Sequence, residues 1–321
     1  MISAGIIGGA GYTAGELLRI LLRHPDVSLD FVFSTSQAGL PVSSIHQDLM
    51  GETELRFSGN INPEVDVVFL CLGHGNSIQF LNNNPFSENT RVIDLSTDYR
   101  MHSKDHSFVY GLPEFKKEEI KKTQFVANPG CFATAISLAI LPLAGESLLK
   151  DELHINAVTG ATGAGTSLSA TSHFTWRDNN FSAYKEFEHQ HLNEIGQSLK
   201  LLQPSFNSEV NFIPNRGNFS RGIFATTYTN FDGSLEDAKD IYDAYYKDAA
   251  FTFVIEEDIH LKQVVNTNKC LIKLQKYNSK LLITSVIDNL LKGASGQAVQ
   301  NMNLMFGFPE KQGLQLKASY F

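Results

Sequence analysis

Ala4-Gly5-Ile6-Ile7-Gly8-Gly9-Ala10-Gly11-Tyr12-Thr13-Ala14-Gly15-Glu16-Leu17-Leu18 joins a short apolar run to a glycine turn and then to the start of a helical pattern. In such a turn the glycines let the backbone approach a pyrophosphate, and the helix N-terminus supplies N–H donors. The spacing departs from a strict G-x-G-x-x-G pattern, and a purely structural turn is the alternative. Its position directly after a first strand predicts dinucleotide binding, with cofactor contacts at Gly8, Ala10, Gly11, Tyr12 and Thr13.

The residues that follow the second predicted strand indicate which dinucleotide is bound. This strand covers residues 29–33 and is followed by Ser34-Thr35-Ser36. An NAD enzyme would carry an acidic residue for the ribose 2′-hydroxyl about 20 residues beyond the glycines. Because hydroxyl residues stand there instead, a 2′-phosphate meets no repulsion. We therefore expect NADPH in preference to NADH, with Ser34 and Ser36 as contacts, although no arginine stands at this strand end to bind the phosphate.

Two further apolar runs, at residues 65–72 and 91–95, are typical of the central strands of a parallel sheet. Ligands of open α/β sheets bind beyond the carboxyl ends of such strands. We expect Gly73 to contact the cofactor and Arg100 to recognise a phosphate, with a solvated surface position as the alternative for Arg100. The first half of the chain is therefore predicted to be a Rossmann-type α/β domain.

A second stretch, Asn128-Pro129-Gly130-Cys131, predicts a reactive cysteine. Apolar residues then recur at the spacing of one helix face: Phe132, Ile136, Ala139, Ile140 and Leu143. At a helix N-terminus the partial positive charge and the unpaired N–H groups favour a thiolate and can hold an oxyanion. The alternative for Cys131 is a small buried apolar residue, which is what we expect of Cys71 and Cys270.

From about residue 151 the pattern changes to that of an α+β domain. A helix at 235–249 and strands near 252–255, 261–265, 270–276 and 281–287 predict a largely antiparallel sheet. The irregular stretch 161–185 is longer than most loops, which indicates a functional segment. A final helix that opens near Asp288 is expected to return to the first domain and to line the cofactor cleft.

The segment Glu188-His189-Gln190-His191-Leu192-Asn193-Glu194 supplies candidate acid–base residues. Histidine titrates near neutral pH, so either ring can act as an acid or a base in a pocket. His191 and Glu194 are three residues apart and would meet on one helix face, where the carboxylate can orient the ring. The alternatives are two surface histidines, or a metal site that has no third ligand spaced nearby.

Composition excludes several classes of protein. The chain has 321 residues, enough for two domains, and its formal charge of −8 argues against nucleic acid but not against a small anionic substrate. No apolar run approaches the roughly 18 residues of a membrane span, and the N-terminal residues lack the basic region of a signal peptide. Three widely spaced cysteines fit neither a disulfide framework nor a zinc site, so we expect a reducing cytoplasm and no metal.

The chain resembles the N-acetyl-γ-glutamyl-phosphate reductase family, within the larger group that includes aspartate-semialdehyde dehydrogenase. The resemblance lies in the segments quoted above, in residues 92–100 and 110–114, and in Lys292-Gly293-Ala294-Ser295-Gly296-Gln297. The resemblance implies an NADP-binding domain of residues 1–130 with 290–321, and a catalytic and dimerisation domain of 131–289. It also implies the NADPH-dependent reduction of an N-acyl-γ-glutamyl phosphate in arginine biosynthesis, by a homo-oligomer that is a dimer or a tetramer. Cys131 would form a thioester with the substrate and His189 would be the acid or base. Further contacts are implied to the substrate at Arg100, Asn128, His191, Glu194 and Arg221, and to the cofactor at Asn289.

One departure from the family pattern concerns the substrate. The usual His-Arg-His is His189-Gln190-His191 here, which removes a cation that would sit near an anionic substrate. This leaves the acyl group open, with N-acetyl as the default. The alternatives are a reductase of another acyl phosphate, such as aspartyl phosphate, and a catalytically inactive NADPH-binding module.

Overall fold

The computed structural model describes all 321 residues. The helices are α1 (Tyr12–Leu21), α2 (Ser77–Asn83), α3 (Pro113–Ile120), α4 (Cys131–Gly145), α5 (Phe174–Arg177), α6 (His191–Leu202), α7 (Leu235–Tyr246) and α8 (Gly296–Phe306). The strands are β1 (Ile2–Ile7), β2 (Val27–Phe33), β3 (Phe57–Ser58), β4 (Val67–Leu70), β5 (Arg91–Asp94), β6 (Val109–Tyr110), β7 (Phe125–Ala127), β8 (Leu153–Thr159), β9 (Ser182–Ala183), β10 (Val210–Arg216), β11 (Ile223–Asn230), β12 (Thr252–Val254), β13 (Cys270–Tyr277) and β14 (Lys280–Ile287). One turn of π-helix, Leu291–Ser295, precedes α8.

The chain forms two compact units. Unit 1 comprises Met1–Pro129 and Ala294–Gln315, and unit 2 comprises Gly130–Gly293 and Leu316–Phe321. The predicted division gave all of residues 290–321 to the nucleotide domain. In the structure residues 290–293 and the last six residues belong to unit 2, where the Ser319 N–H donates to the Val265 carbonyl at 3.0 Å.

Unit 1 is built on a seven-stranded sheet of order β3-β2-β1-β4-β5-β7-β6, in which every neighbouring pair is parallel. The predicted Rossmann-type α/β domain is confirmed. Strand β1 lies between β2 and β4, so the strand order reverses beside it, and the crevice at such a reversal is where ligands bind. The glycine turn between β1 and α1 therefore starts at the carboxyl edge where a nucleotide is expected.

Unit 2 contains the second sheet, of order β12-β13-β14-β11-β8-β10-β9. Its pairs are antiparallel except β8 with β10 and β12 with β13, so the prediction of a largely antiparallel sheet is confirmed. Helix α4 is the core of this unit. Residues 132–144 are all buried, and the helix packs against β11, β14, α6 and α7.

A proline inside α4 creates a contact with α7. Pro142 has no N–H, so the carbonyl of Leu138, one turn earlier, has no helical donor. The hydroxyl of Tyr246 donates to that carbonyl, and the hydroxyl of Tyr242 donates to the neighbouring carbonyl of Ala139. Two buried tyrosines thus fasten α7 to the part of α4 that the proline weakens.

Two predicted features of unit 2 differ in the structure. The strand predicted at 261–265 is wrong: Leu261–Gln263 is a 3₁₀ helix. Gln263 stabilises this turn, because its Oε1 accepts from the His260 N–H at 2.8 Å. The stretch 161–185 is also more regular than its sequence indicates, since it contains two 3₁₀ turns, α5 and β9. None of the helices of the chain is both long enough and apolar enough to span a bilayer.

Candidate active site

The glycine turn of unit 1 has the shape that a bound phosphate requires. Gly8 has a φ of +79°, and a Cβ there would lie 2.6 Å from the Cys71 carbonyl oxygen, so only glycine fits. Gly11 is the N-cap of α1, and a Cβ there would meet only the Gly8 carbonyl oxygen, at 3.9 Å. No side chain caps the helix and no acidic residue lies in its first turn. The first N–H groups of α1 therefore remain available to an anion, and the turn fits a dinucleotide pyrophosphate.

The loop after β2 holds Ser34 and Ser36, whose hydroxyl oxygens lie 3.5 Å apart, with Ser34 buried and Ser36 exposed. The structure also brings an arginine to this loop that the local sequence does not. Arg56 Nη1 donates to the Gly39 carbonyl at 2.9 Å, because the chain around β3 runs beside the loop. Arg56 is exposed and brings a positive charge to the loop that follows Ser34 and Ser36.

The other predicted cofactor residues of unit 1 surround the same edge of the sheet. Thr13 lies in the first turn of α1, where its carbonyl accepts from Ser295 Oγ at 2.7 Å. Tyr12 is 43% exposed beside Ala10. Gly73 lies in the loop after β4, which is held by Asp98 through the Gly75 N–H at 2.6 Å. These residues lie at the carboxyl edge of the sheet, and their predicted contacts with the cofactor stay predictions.

Arg100 and Asn128 are buried in unit 1 and bound to the backbone. Arg100 donates to the carbonyls of Asn128 and Leu95, both at 2.9 Å. The Asn128 amide donates to the Ala294 carbonyl at 3.1 Å, and its oxygen accepts from Asn301 at 3.1 Å. Both residues therefore fix the segment that leads to Cys131, and their predicted contacts with substrate stay predictions.

Cys131 is the first residue of α4, as the sequence predicts, and it is partly exposed. Its N-cap is Gly130, which has extended backbone geometry and no side chain to occupy the helix end. Gly293 packs directly against the cysteine, since a Cβ on Gly293 would lie 2.8 Å from Cys131 Cβ. Two glycines thus leave the sulfur at an uncapped helix N-terminus, where a thiolate and an oxyanion are both stabilised.

His191 and Glu194 bind the same helix end. Glu194 Oε2 accepts from the Gly130 N–H at 2.9 Å, and the carboxylate lies 3.9 Å from His191 Nε2. The predicted pairing of these two residues on one face of α6 is found. A Cβ on Gly130 would lie 2.2 Å from His191 Nε2, so the ring packs flat against the residue before Cys131.

His189 lies just before α6, is buried, and has a ring centroid 4.5 Å from that of His191. Its Nδ1 accepts from the His191 N–H at 3.2 Å, so the neutral ring carries its proton on Nε2. Burial, with smaller contributions from the charges of Lys185 and Arg216, lowers the pKa of His189 to about 4. The ring is therefore neutral near pH 7 and can donate through Nε2.

Arg221 and Asn289 make structural contacts within unit 2. The Arg221 guanidinium forms a two-pronged ion pair with buried Asp288, with N–O distances of 3.0 and 3.2 Å. Asn289 accepts from the Gly222 N–H at 2.7 Å and donates to Thr162 Oγ1 at 3.1 Å. Both side chains hold the start of β11 against the end of β14. Their predicted roles toward substrate and cofactor stay predictions.

Sequence reasoning missed Tyr184 and Arg216. The Tyr184 ring centroid is 5.8 Å from that of His189, and the Arg216 guanidinium lies 4.6 Å above the Tyr184 ring. Burial, with a smaller contribution from the charge of Cys131, raises the pKa of Tyr184 to about 12, while the charges of Arg216 and Arg177 act in the opposite direction. The pairing of β9 with β10 brings these residues together, and no local pattern in the sequence predicts that pairing.

Two family models match the chain in order. One, described as the NAD binding domain of semialdehyde dehydrogenase, covers residues 3–123, and the other, described as the dimerisation domain, covers residues 131–289. A protein of Christiangramia forsetii named N-acetyl-gamma-glutamyl-phosphate reductase is 73% identical over 321 residues, the whole of both chains. A protein of the same name from Flavobacterium johnsoniae is 61% identical, again over the whole of both chains. The chain belongs to the N-acetyl-gamma-glutamyl-phosphate reductase family.

Solved structures agree with this family at the level of the fold. Aspartate semialdehyde dehydrogenase II of Vibrio cholerae has a TM-score of 0.75 at 15% identity, covering 96% of this chain and 99% of that one. The enzyme of Candida albicans, solved with NADP, has a TM-score of 0.71 at 13% identity, covering 95% and 99%. At such identities the likeness shows that the reductase family and these dehydrogenases share an architecture.

Proposed function

We propose that this chain reduces N-acyl-γ-glutamyl phosphate, N-acetyl by default, to the corresponding glutamate semialdehyde with NADPH, as a step of arginine biosynthesis. One observation carries the proposal: Cys131 is the first residue of α4, its N-cap is a glycine, and Gly293 packs against it. His189 and His191 lie beside the same helix end, which gives the sulfur the neighbours that acyl transfer needs.

The first step is attack by the thiolate of Cys131 on the acyl carbon. The carbon–oxygen bond to phosphate breaks, phosphate leaves with the bonding electrons and takes a proton from solvent, and a thioester remains on Cys131. The acyl oxygen gains negative charge during this attack. We place it where the first N–H groups of α4 and the Nε2–H of His189 can donate to it.

The cofactor would be held by unit 1. The turn from Gly8 to Thr13 would bind its pyrophosphate, and Ser34, Ser36 and Arg56 would bind its 2′-phosphate. NADPH, when bound, supplies the hydride that reduces the thioester. The resulting hemithioacetal collapses to the semialdehyde and releases the thiolate of Cys131. Until it collapses, the Nε2–H of His189 donates to its negatively charged oxygen.

Arg56 gives a test of cofactor preference. Replacing Arg56 by glutamine should weaken NADPH binding about 10- to 100-fold, because a charge-assisted hydrogen bond contributes roughly 1.5–3 kcal/mol and 1.4 kcal/mol is tenfold in affinity. NADH binding should not change. Titration calorimetry with NADPH, NADH and 2′,5′-ADP measures this. Arg23→Gln is the matched control, since Arg23 is exposed and pairs with Glu52 at 2.8 Å. An unchanged NADPH affinity in Arg56→Gln would remove Arg56 from the site.

We also infer that the protein works as a homodimer or a tetramer in the cytoplasm. The oligomer is supported by the match of residues 131–289 to a dimerisation domain. Sedimentation velocity at several concentrations would measure it. A monomer at all concentrations would contradict this part of the proposal.

The most informative experiment is a panel of semialdehydes assayed for phosphate-dependent reduction of NADP⁺ and NAD⁺. N-acetylglutamate semialdehyde with NADP⁺ should give the highest kcat/KM. Aspartate semialdehyde is included because it would identify the alternative acyl phosphate. A protein that reduces NADP⁺ with none of the panel would contradict the proposed function.

A further inference from the structure

Unit 2 concentrates positive charge beside the candidate catalytic histidine. Arg216, the last residue of β10, lies 4.6 Å above the ring of Tyr184, and that ring contacts His189. Lys185 follows Tyr184 in the chain, and its charge and that of Arg216 both act on His189. These cations therefore lie within the electrostatic reach of the imidazole.

A third cation nearby, Arg177, shows by contrast what is unusual about Arg216. Arg177 is buried, and its guanidinium donates to the carbonyls of Thr171, Asn180 and Arg216 and to the Ser182 hydroxyl. Arg216 has a side-chain hydrogen bond with Tyr184, but its Nε is buried without a hydrogen-bond partner. A buried donor without a partner costs free energy unless a ligand supplies the acceptor.

Neither Lys185 nor Arg216 has a carboxylate as a counter-ion in the structure. Lys185 Nζ instead donates to Gln190 Oε1 at 3.2 Å. Gln190 occupies the position where the family pattern has arginine. Lys185 and Arg216 therefore supply positive charge in the region where this chain lacks that arginine. An uncompensated pair of cations next to a catalytic group favours an anionic ligand.

We propose that Arg216, with Lys185 beside it, forms a subsite for the α-carboxylate of the substrate and thereby determines which acyl phosphates and semialdehydes bind. The inference rests on the proposed function, which supplies a substrate with a carboxylate in addition to its phosphate. The planar guanidinium of arginine matches a carboxylate in a two-pronged geometry, which an ammonium group does not. Arg216 is thus a specificity-determining residue that leaves the sulfur chemistry to Cys131.

The test compares N-acetylglutamate semialdehyde with its α-carboxamide in the wild-type protein and in Arg216→Gln. Wild type should favour the acid over the amide by about 10- to 100-fold in kcat/KM, in line with removal of one charged pair. In Arg216→Gln this ratio should fall close to one, mainly through a higher KM for the acid. Arg216→Lys should keep part of the preference, because it retains the charge without the planar fork.

Two controls separate the subsite from general damage. NADPH affinity and the rate of Cys131 alkylation by iodoacetamide should be unchanged in Arg216→Gln. Lys200→Gln, an exposed cation of α6, should keep the wild-type preference for the acid. The same acid-to-amide ratio in wild type, Arg216→Gln and Arg216→Lys would overturn the subsite while the proposed function stands. A wild-type protein inactive with the acid would instead remove the proposed function, and this inference with it.

Discussion

Replacement of Cys131 by alanine should abolish turnover while leaving NADPH binding intact. Without the sulfur no thioester forms, and we expect kcat to fall by at least about 10³-fold, as for other covalent nucleophiles. NADPH binding should persist, because the glycine turn belongs to unit 1 and Cys131 to unit 2. Steady-state kinetics and titration calorimetry measure the two quantities. A Cys131→Ala protein with more than a few per cent of wild-type activity would contradict the assignment.

Cys270→Ala is the matched control for this experiment. Cys270 is fully buried in β13, so its loss should lower stability slightly and leave kcat unchanged. Alkylation gives a second readout, since a thiol must be accessible and ionised to react. Burial raises the pKa of Cys71 to about 12 and Cys270 is inaccessible, so iodoacetamide should modify Cys131 first. Peptide mapping after brief labelling would identify the modified residue.

His189→Ala should lower kcat about 10²–10³-fold, the usual effect of removing one donor to a developing oxyanion. The pH dependence follows from the pKa of about 4 that burial, with Lys185 and Arg216, imposes on this histidine. Protonation of Nδ1 would break the hydrogen bond that this atom accepts from the His191 N–H, and the ring would lose the contact that orients it. Because this protonation occurs only near pH 4, wild-type kcat/KM should show no decline from His189 at pH 6.5, the ordinary histidine value, and should decline only toward 4.

His189→Gln separates the donor from the charge of the ring. The glutamine amide keeps an N–H donor at a similar reach, so this variant should retain more activity than His189→Ala and show no decline from a ring protonation near pH 4. A wild-type profile that falls near pH 6.5, and becomes level in His189→Gln, would show that the ring titrates at the ordinary histidine value, and would contradict the lowered pKa of His189.

The parts of the site that sequence predicts are those that local spacing determines. The glycine turn, the start of α4 at Cys131 and the approach of His191 to Glu194 each depend on a few consecutive residues and the geometry of one helix. These predictions needed no knowledge of which strands pair. The same holds for the two sheets, whose type follows from alternation and from βαβ order.

The parts that sequence missed depend on pairing between distant segments. Arg56 reaches the loop after β2 only because β3 pairs with β2, and Arg216 reaches Tyr184 only because β10 pairs with β9. Register between strands is set by the packing of the whole sheet, which a single sequence does not display. The wrong strand at 261–265 has a local cause, since the side chain of Gln263 folds back onto His260 and favours a 3₁₀ turn over an extended chain.

The proline in α4 links two positions that lie over 100 residues apart in the chain. With Pro142 present, the Tyr246 hydroxyl donates to the Leu138 carbonyl, which would otherwise be buried without a hydrogen bond. Removing the hydroxyl should therefore lower the free energy of unfolding by about 1–3 kcal/mol. If a residue with a backbone N–H replaced Pro142, that N–H would donate to the Leu138 carbonyl within α4, and the Tyr246 hydroxyl would no longer be needed. We therefore expect related sequences that lack proline at position 142 to lack tyrosine at position 246 more often than other sequences do. Covariation between the two positions would then be evidence for this hydrogen bond.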